Sequence, residues 1–177
     1  CVLVDNYGGA YQAVEHLIAL GHRRIGCISH TGQISSVADR VRGYEQAMHG
    51  AHLAPMAPIV LQFREPSHEG EPPDYSDQDM ALVDALLRAH EAPTALFCIN
   101  DFIAMGLLRH VLRSGLRVPE QVALVGFDDI PLAAFMPVPL TTVAQPKFEI
   151  GVQAALLLLD QISGKEAGPR TVTLPTA

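Results

Sequence analysis

Apolar residues recur along this chain in two alternating rhythms. Short apolar runs at 2–4, 24–28, 58–63, 94–99 and 122–127 are separated by longer stretches, at 8–20, 37–49, 78–90 and 102–113, in which apolar positions fall at helical spacing. The first rhythm is that of buried strands, the second that of helices with one face on a core. In the first helix the apolar face is Val14, Leu17, Ile18 and Leu20, and Gly21 stands where a glycine ends a helix. Regular strand and helix alternation predicts an α/β fold, a doubly wound parallel sheet with helices on both faces. The stretch 64–77, with Pro66, Gly70, Pro72, Pro73 and several acids, reads as an exposed loop.

The tail departs from this pattern. A segment centred on 148–159 is helical in period but apolar nearly all round, so it needs partners on two sides. It follows the extended, proline-bounded stretch 137–146, and is therefore expected to leave the first sheet and join a second lobe.

Two of the strands end on polar residues. The run 94–99 stops at Asn100-Asp101, and the run 122–127 at Asp128-Asp129. In open α/β sheets the carboxyl ends of the strands border the ligand crevice, so two such tips predict one shared site. The same residues suit plainer jobs: Asn or Asp before a helix is a cap, and Asp128-Asp129 before Pro131 is turn chemistry.

Composition narrows the function. A chain of 177 residues that is 49% apolar can fill one core, or one core and part of another. No apolar run approaches the roughly 20 residues that span a bilayer, so no membrane role is expected. A net charge of -7 argues against a nucleic-acid surface in this part of the protein. Cys1, Cys27 and Cys98 lack metal-site spacing, and the latter two fall in strand patterns, as reduced thiols of a cytoplasmic protein do. The histidine pairs His16/His22 and His49/His52 have no carboxylates in a ligand pattern, so no metal is expected. There is no Gly-x-Ser-x-Gly elbow, phosphate-cradling loop or dinucleotide fingerprint, which leaves an enzyme and a cofactor without support. The absence of an initial Met suggests a portion of a longer protein.

Several short motifs occur in a fixed order: Val4-Asp5-Asn6 with Gly8-Gly9; Leu20-Gly21-His22-Arg23-Arg24-Ile25; Arg40-Val41-Arg42-Gly43-Tyr44; Ile99-Asn100-Asp101 with Ala104-Met105-Gly106; Val125-Gly126-Phe127-Asp128-Asp129-Ile130; and Pro139-Leu140-Thr141-Thr142-Val143. Together they resemble the effector-binding part of LacI/GalR family transcriptional regulators over almost the whole chain. The resemblance implies a periplasmic-binding-protein-like core of two lobes joined by three crossovers. Residues 5–140 would form the C-terminal lobe, 1–4 and 141–170 a crossover and a remnant of the N-terminal lobe, and 171–177 a return segment. A helix-turn-helix head that binds operator DNA would precede this chain.

The resemblance also implies a small-molecule effector, a sugar or nucleoside, gripped by Arg40, Asn100 and Asp128, with Tyr75 over the ligand and Asp5 at the crossover. A guanidinium fork, an amide and a carboxylate together match the paired donors and acceptors of a polyol. The residues alone leave Arg40 open to a surface pairing with Asp39 or Glu45, and Tyr75 to an exposed loop position. The apolar loop 131–137 and the helix after Asn100 suggest a subunit contact, with Leu107, Leu108, Val111, Leu132, Phe135 and Met136 in a homodimer interface. An extracytoplasmic sugar-binding protein of a transport system shares the two-lobed architecture and is the alternative reading.

Overall fold

The computed structural model describes residues 1–31, 34–62, 75–164 and 170–177. In chain order the elements are β1 (Val2–Val4), α1 (Asn6–Ala19), β2 (Ile25–His30), α2 (Ser35–Gly50), β3 (Ile59–Leu61), α3 (Asp77–Leu87), β4 (Ala95–Cys98), α4 (Asp101–Arg113), β5 (Ala123–Asp128), a short 3-10 segment (Pro131–Phe135), β6 (Thr141–Ala144), α5 (Lys147–Ile162) and β7 (Val172–Leu174). The main sheet is parallel throughout, in the order β3-β2-β4-β5-β6. The doubly wound sheet predicted from the alternation is the one observed.

The central strands are buried on both faces, which is why they read as continuous apolar runs rather than as alternating ones. Right-handed crossovers put α2 on one face of the sheet and α3 and α4 on the other. On the first face α1 packs on α2 at close range. The buried side of α2 is Arg40, Gly43, Tyr44, Ala47 and Met48, one stripe at helical spacing. Gly43 permits the approach: a Cβ there would fall 2.4 Å from the Tyr7 carbonyl oxygen. Tyr44 is wholly buried, and its hydroxyl donates to the Ile25 carbonyl at 2.9 Å while accepting from the Met56 amide at 2.8 Å. Gly21 has φ of 97°, the left-handed conformation expected of a glycine just past a helix. On the other face His110 Nε2 and Asp84 Oδ1 meet at 2.8 Å between α4 and α3.

Three sequence expectations need correction. Residues 141–144 do not leave the main sheet: β6 is its edge strand, registered Val125 to Thr141 through Asp128 to Ala144, so the boundary expected at 140 lies further on. The Thr141-Thr142-Val143-Ala144 backbone is drawn in because it completes the ladder of β5. Leu107, Leu108 and Val111 point into the core of their own domain and are almost wholly buried, so they have no surface to offer a second subunit. Tyr75 is not an exposed loop residue; it is buried against α4, while residues 64–74 of the expected loop lie outside the described residues.

Beyond the main sheet, β1 and β7 pair in parallel as a two-stranded ribbon, and α5 lies against β1. No residue of α5 is buried; Phe148 is 85% and Ile162 74% exposed. Cys27 and Cys98 lie inside adjacent strands with thiols pushed up in pKa by burial, whereas Cys1 on the ribbon is exposed. Among the described residues no helix is long and apolar enough to cross a membrane.

Candidate functional site

Connections leave the sheet in opposite directions on either side of the β2/β4 pair, the switch point at which open α/β sheets place a ligand site, at the carboxyl ends of these strands. Arg40 enters this region from α2. Its Nε donates to Asn6 Oδ1 at 2.8 Å, and its Nη1 donates to the Ile99 carbonyl at the tip of β4 at 2.5 Å. The same Nη1 lies 3.1 Å from Asp128 Oδ1 at the tip of β5. Its guanidinium carbon stands 3.7 Å from the centroid of the Phe127 ring, a stacked cation–π arrangement. One side chain thus joins both strand tips and the start of α1. The surface reading of Arg40 is excluded, since the residue is 9% exposed and Asp39 pairs instead with Arg42.

The electrostatics are those of a half-desolvated ion pair. Burial lowers the Arg40 pKa, and the Asp128 carboxylate counters that effect. Burial raises the Asp128 carboxyl, opposed by Arg40 and by Gln145, whose amide donates to Asp128 Oδ1 at 2.5 Å. A pair of this kind can exchange internal hydrogen bonds for those of a polyol or ribosyl group without leaving either charge unpartnered.

Asn100 and Asp101 divide the work expected of them differently from the simplest reading. Asn100 Oδ1 accepts from the Ile103 amide at 2.8 Å and caps α4, which leaves its amide nitrogen as a donor at the β4 tip. Asp101 is completely buried and turns away from its own helix toward the loop after β5. Asp5 caps α1 by accepting from the Gly8 amide at 2.8 Å, and a Cβ at Gly8 would fall 2.2 Å from that carboxylate. Its neighbour Asn6, and not Asp5, meets Arg40. Tyr75 packs its ring on Gly106 and lines a recess of about 330 Å³ with Met80, Asp84, Arg109 and His110, a set that shares no residue with the Arg40 group.

Sequence reasoning overlooked Gln145 and Thr142 because β6 was read as a crossover. The alternation through Thr142, Val143 and Ala144 to Gln145, next to a predicted strand tip, is the signal that points to them. Among the described residues no group of three or more His, Cys, Asp or Glu is disposed to hold a metal ion.

Comparison with known proteins shows the family and the fold. Residues 14–177 match the periplasmic binding protein-like domain. The chain is 37% identical over 167 residues to the HTH-type transcriptional repressor CytR of Escherichia coli K12, an alignment covering 94% of this chain and 46% of that protein. It is 40% identical over 170 residues to the HTH-type transcriptional repressor PurR of Aliivibrio fischeri, covering 93% of this chain and 47% of that one. It therefore spans about half the length of the curated relatives it matches. Among solved structures, a transcriptional regulator CelR–cellobiose complex superposes with a TM-score of 0.81 at 32% identity, over 99% of this chain and 51% of the other. A LacI family transcriptional regulator from Enterococcus faecium with bound ribose superposes with a TM-score of 0.82 at 29% identity, over 99% and 62%. With fold and sequence in agreement, this chain belongs to the periplasmic binding protein-like domain family, in the form carried by LacI-family transcriptional regulators.

Proposed function

We propose that this chain is the larger part of the effector-binding core of a cytoplasmic, DNA-binding transcriptional repressor, and that Arg40, Asp128 and Asn100 hold a small sugar-like or nucleoside-like effector. The observation that carries the reading is the seat of Arg40, a largely buried guanidinium fixed to both strand tips beside Asp128. The resemblance to a regulator with bound ribose and to one complexed with cellobiose supports the ligand class.

The parts that stand outside the main sheet fit the same reading. The β1/β7 ribbon and α5 are a fragment of a second lobe, and the uncovered apolar side chains of α5 await the rest of it. Operator DNA would be bound by a head that is not in this chain. Homodimerisation would use the loop after β5, where Leu132 is 51% and Phe135 82% exposed, with Met136 half-buried beside them.

The direct test uses the intact polypeptide. Ribose, cytidine and adenosine are titrated by calorimetry, and operator binding is followed with and without each. Saturable binding of one of them together with a shift in operator affinity supports the reading. A protein that binds a sugar but no DNA under any condition would instead be a solute receptor.

A further inference from the structure

Two consecutive residues with side chains, Asp128 and Asp129, have φ of 121° and 50°. Backbone of this kind is unfavourable for residues with a Cβ, less so for Asp near φ of 50° than at 121°, and two such residues in succession persist where the surroundings hold them. Asp101 provides the enforcement. Its Oδ2 accepts from the Ile130 amide at 2.9 Å, and its Oδ1 accepts from the Thr142 hydroxyl at 2.5 Å. The Thr142 oxygen accepts in turn from the Asp129 amide at 3.2 Å. One carboxylate therefore holds Ile130 directly and Asp129 through one hydroxyl. Gly126 clears the space, since a Cβ at that position would fall 2.2 Å from Asp101 Oδ1.

The helix that Asp101 begins does not need this side chain, because Asn100 already caps it. The need lies across the sheet. The turn that Asp101 pins is the one that presents Asp128 to Arg40, and Gln145 holds Asp128 from the β6 side. We infer that Asp101 is a positioning residue of the effector site: without touching the effector, it keeps the Asp128–Asp129 turn in the left-handed conformation in which Asp128 meets Arg40. The inference rests on the proposed reading of Arg40 and Asp128 as effector-binding groups.

The substitution that isolates this role is Asp101→Asn, which keeps the size of the side chain but sets an amide NH₂ against one of the two donors. Its partner is Asp129→Gly. Asp129 is exposed, its side chain takes no part in the Arg40 group, and glycine occupies a φ of 50° without strain. Crystal structures and calorimetric titrations with ribose and cytidine are compared for the intact wild type, D101N, D129G and the double variant. In D101N the turn opens and Asp128 leaves Arg40, and the dissociation constant of whichever probe the wild type binds rises about tenfold or more. The double variant recovers the turn and most of the affinity, to within about threefold of wild type, while D129G alone stays within about twofold.

An unchanged turn in D101N overturns the inference, as does a loss of binding that D129G does not reduce. If the turn opens in D101N and closes again in the double variant, but neither D101N nor Arg40→Ala affects the probe, the clamp stands and the reading of the site as effector-binding fails. Should D101N not fold, Thr142→Val, which removes only the hydroxyl link to Asp129, replaces it with the same expected direction. An unaltered turn in that variant likewise overturns the inference.

Discussion

Arg40 Nε donates to Asn6 Oδ1 at 2.8 Å, and Asn6 Nδ2 donates to the Val4 carbonyl at 3.1 Å. A side chain at the strand tips is thereby tied to β1, part of the ribbon outside the main sheet. Any molecule that recruits the Arg40 guanidinium must negotiate with this contact.

Replacing Arg40 by Lys keeps a charge but loses the planar fork that reaches Asn6, Ile99 and Asp128 at once. The expected result is a loss of effector affinity of about tenfold or more, since charge-assisted hydrogen bonds contribute roughly 1.5–3 kcal/mol each. Calorimetry on the intact protein measures it. Affinity within twofold of wild type, about 0.4 kcal/mol, would remove Arg40 from the site.

Gly43→Ala sets helix propensity against packing. Alanine favours the helix by about 1 kcal/mol, yet its Cβ would press on the Tyr7 carbonyl and the Ala10 methyl. Backbone cannot yield as a flexible side chain does, so the clash wins and the net effect is destabilisation of about 1–3 kcal/mol. A lower urea midpoint checks this; an unchanged or higher midpoint would mean that α1 and α2 can separate without penalty.

His22 supplies a pH dependence. Its Nδ1 lies 2.8 Å from the Thr94 hydroxyl, and burial lowers its pKa from the ordinary 6.5. A lowered folded pKa means that the unfolded chain takes up the proton more readily. The contribution of His22 to stability is therefore present above about pH 6.5 and is lost as pH falls through the folded value. Denaturation of wild type and His22→Gln at several pH values should show the wild-type advantage shrinking on acidification. An advantage that grows toward acid would reverse the assignment.

Phe135→Asp tests the proposed subunit contact. Phe135 and Leu132 are large apolar side chains exposed on the loop after β5. Sedimentation of the intact protein should show a dimer for the wild type and dissociation for the variant, with little change in thermal stability. A variant that remains dimeric would place the interface elsewhere.

The amino-acid pattern announced most of this fold because buried strands and one-faced helices leave different periods. Asn100 and Asp128 were readable as a pair because both follow apolar runs that could only be strands. The rest depended on contacts between segments far apart in the chain. Nothing local distinguishes Leu107 and Leu108 facing a core from the same residues facing a partner, and only the sheet on which α4 packs decides it. β6 is short and carries two threonines, so its place beside β5 follows from the ladder and not from its own sequence. The role of Asp101 was hidden for a related reason, though its place at a strand tip was not: its two acceptors serve residues 29 and 41 positions away.

The three thiols of this chain differ in a way that has practical value. Cys27 and Cys98 are shielded inside the sheet and resist ionisation, while Cys1 stands exposed just before β1. Among these three thiols an alkylating dye under native conditions should therefore prefer Cys1, beside the ribbon to which Arg40 is tethered through Asn6. Its emission would report on the surroundings of that ribbon in titrations with the proposed effectors.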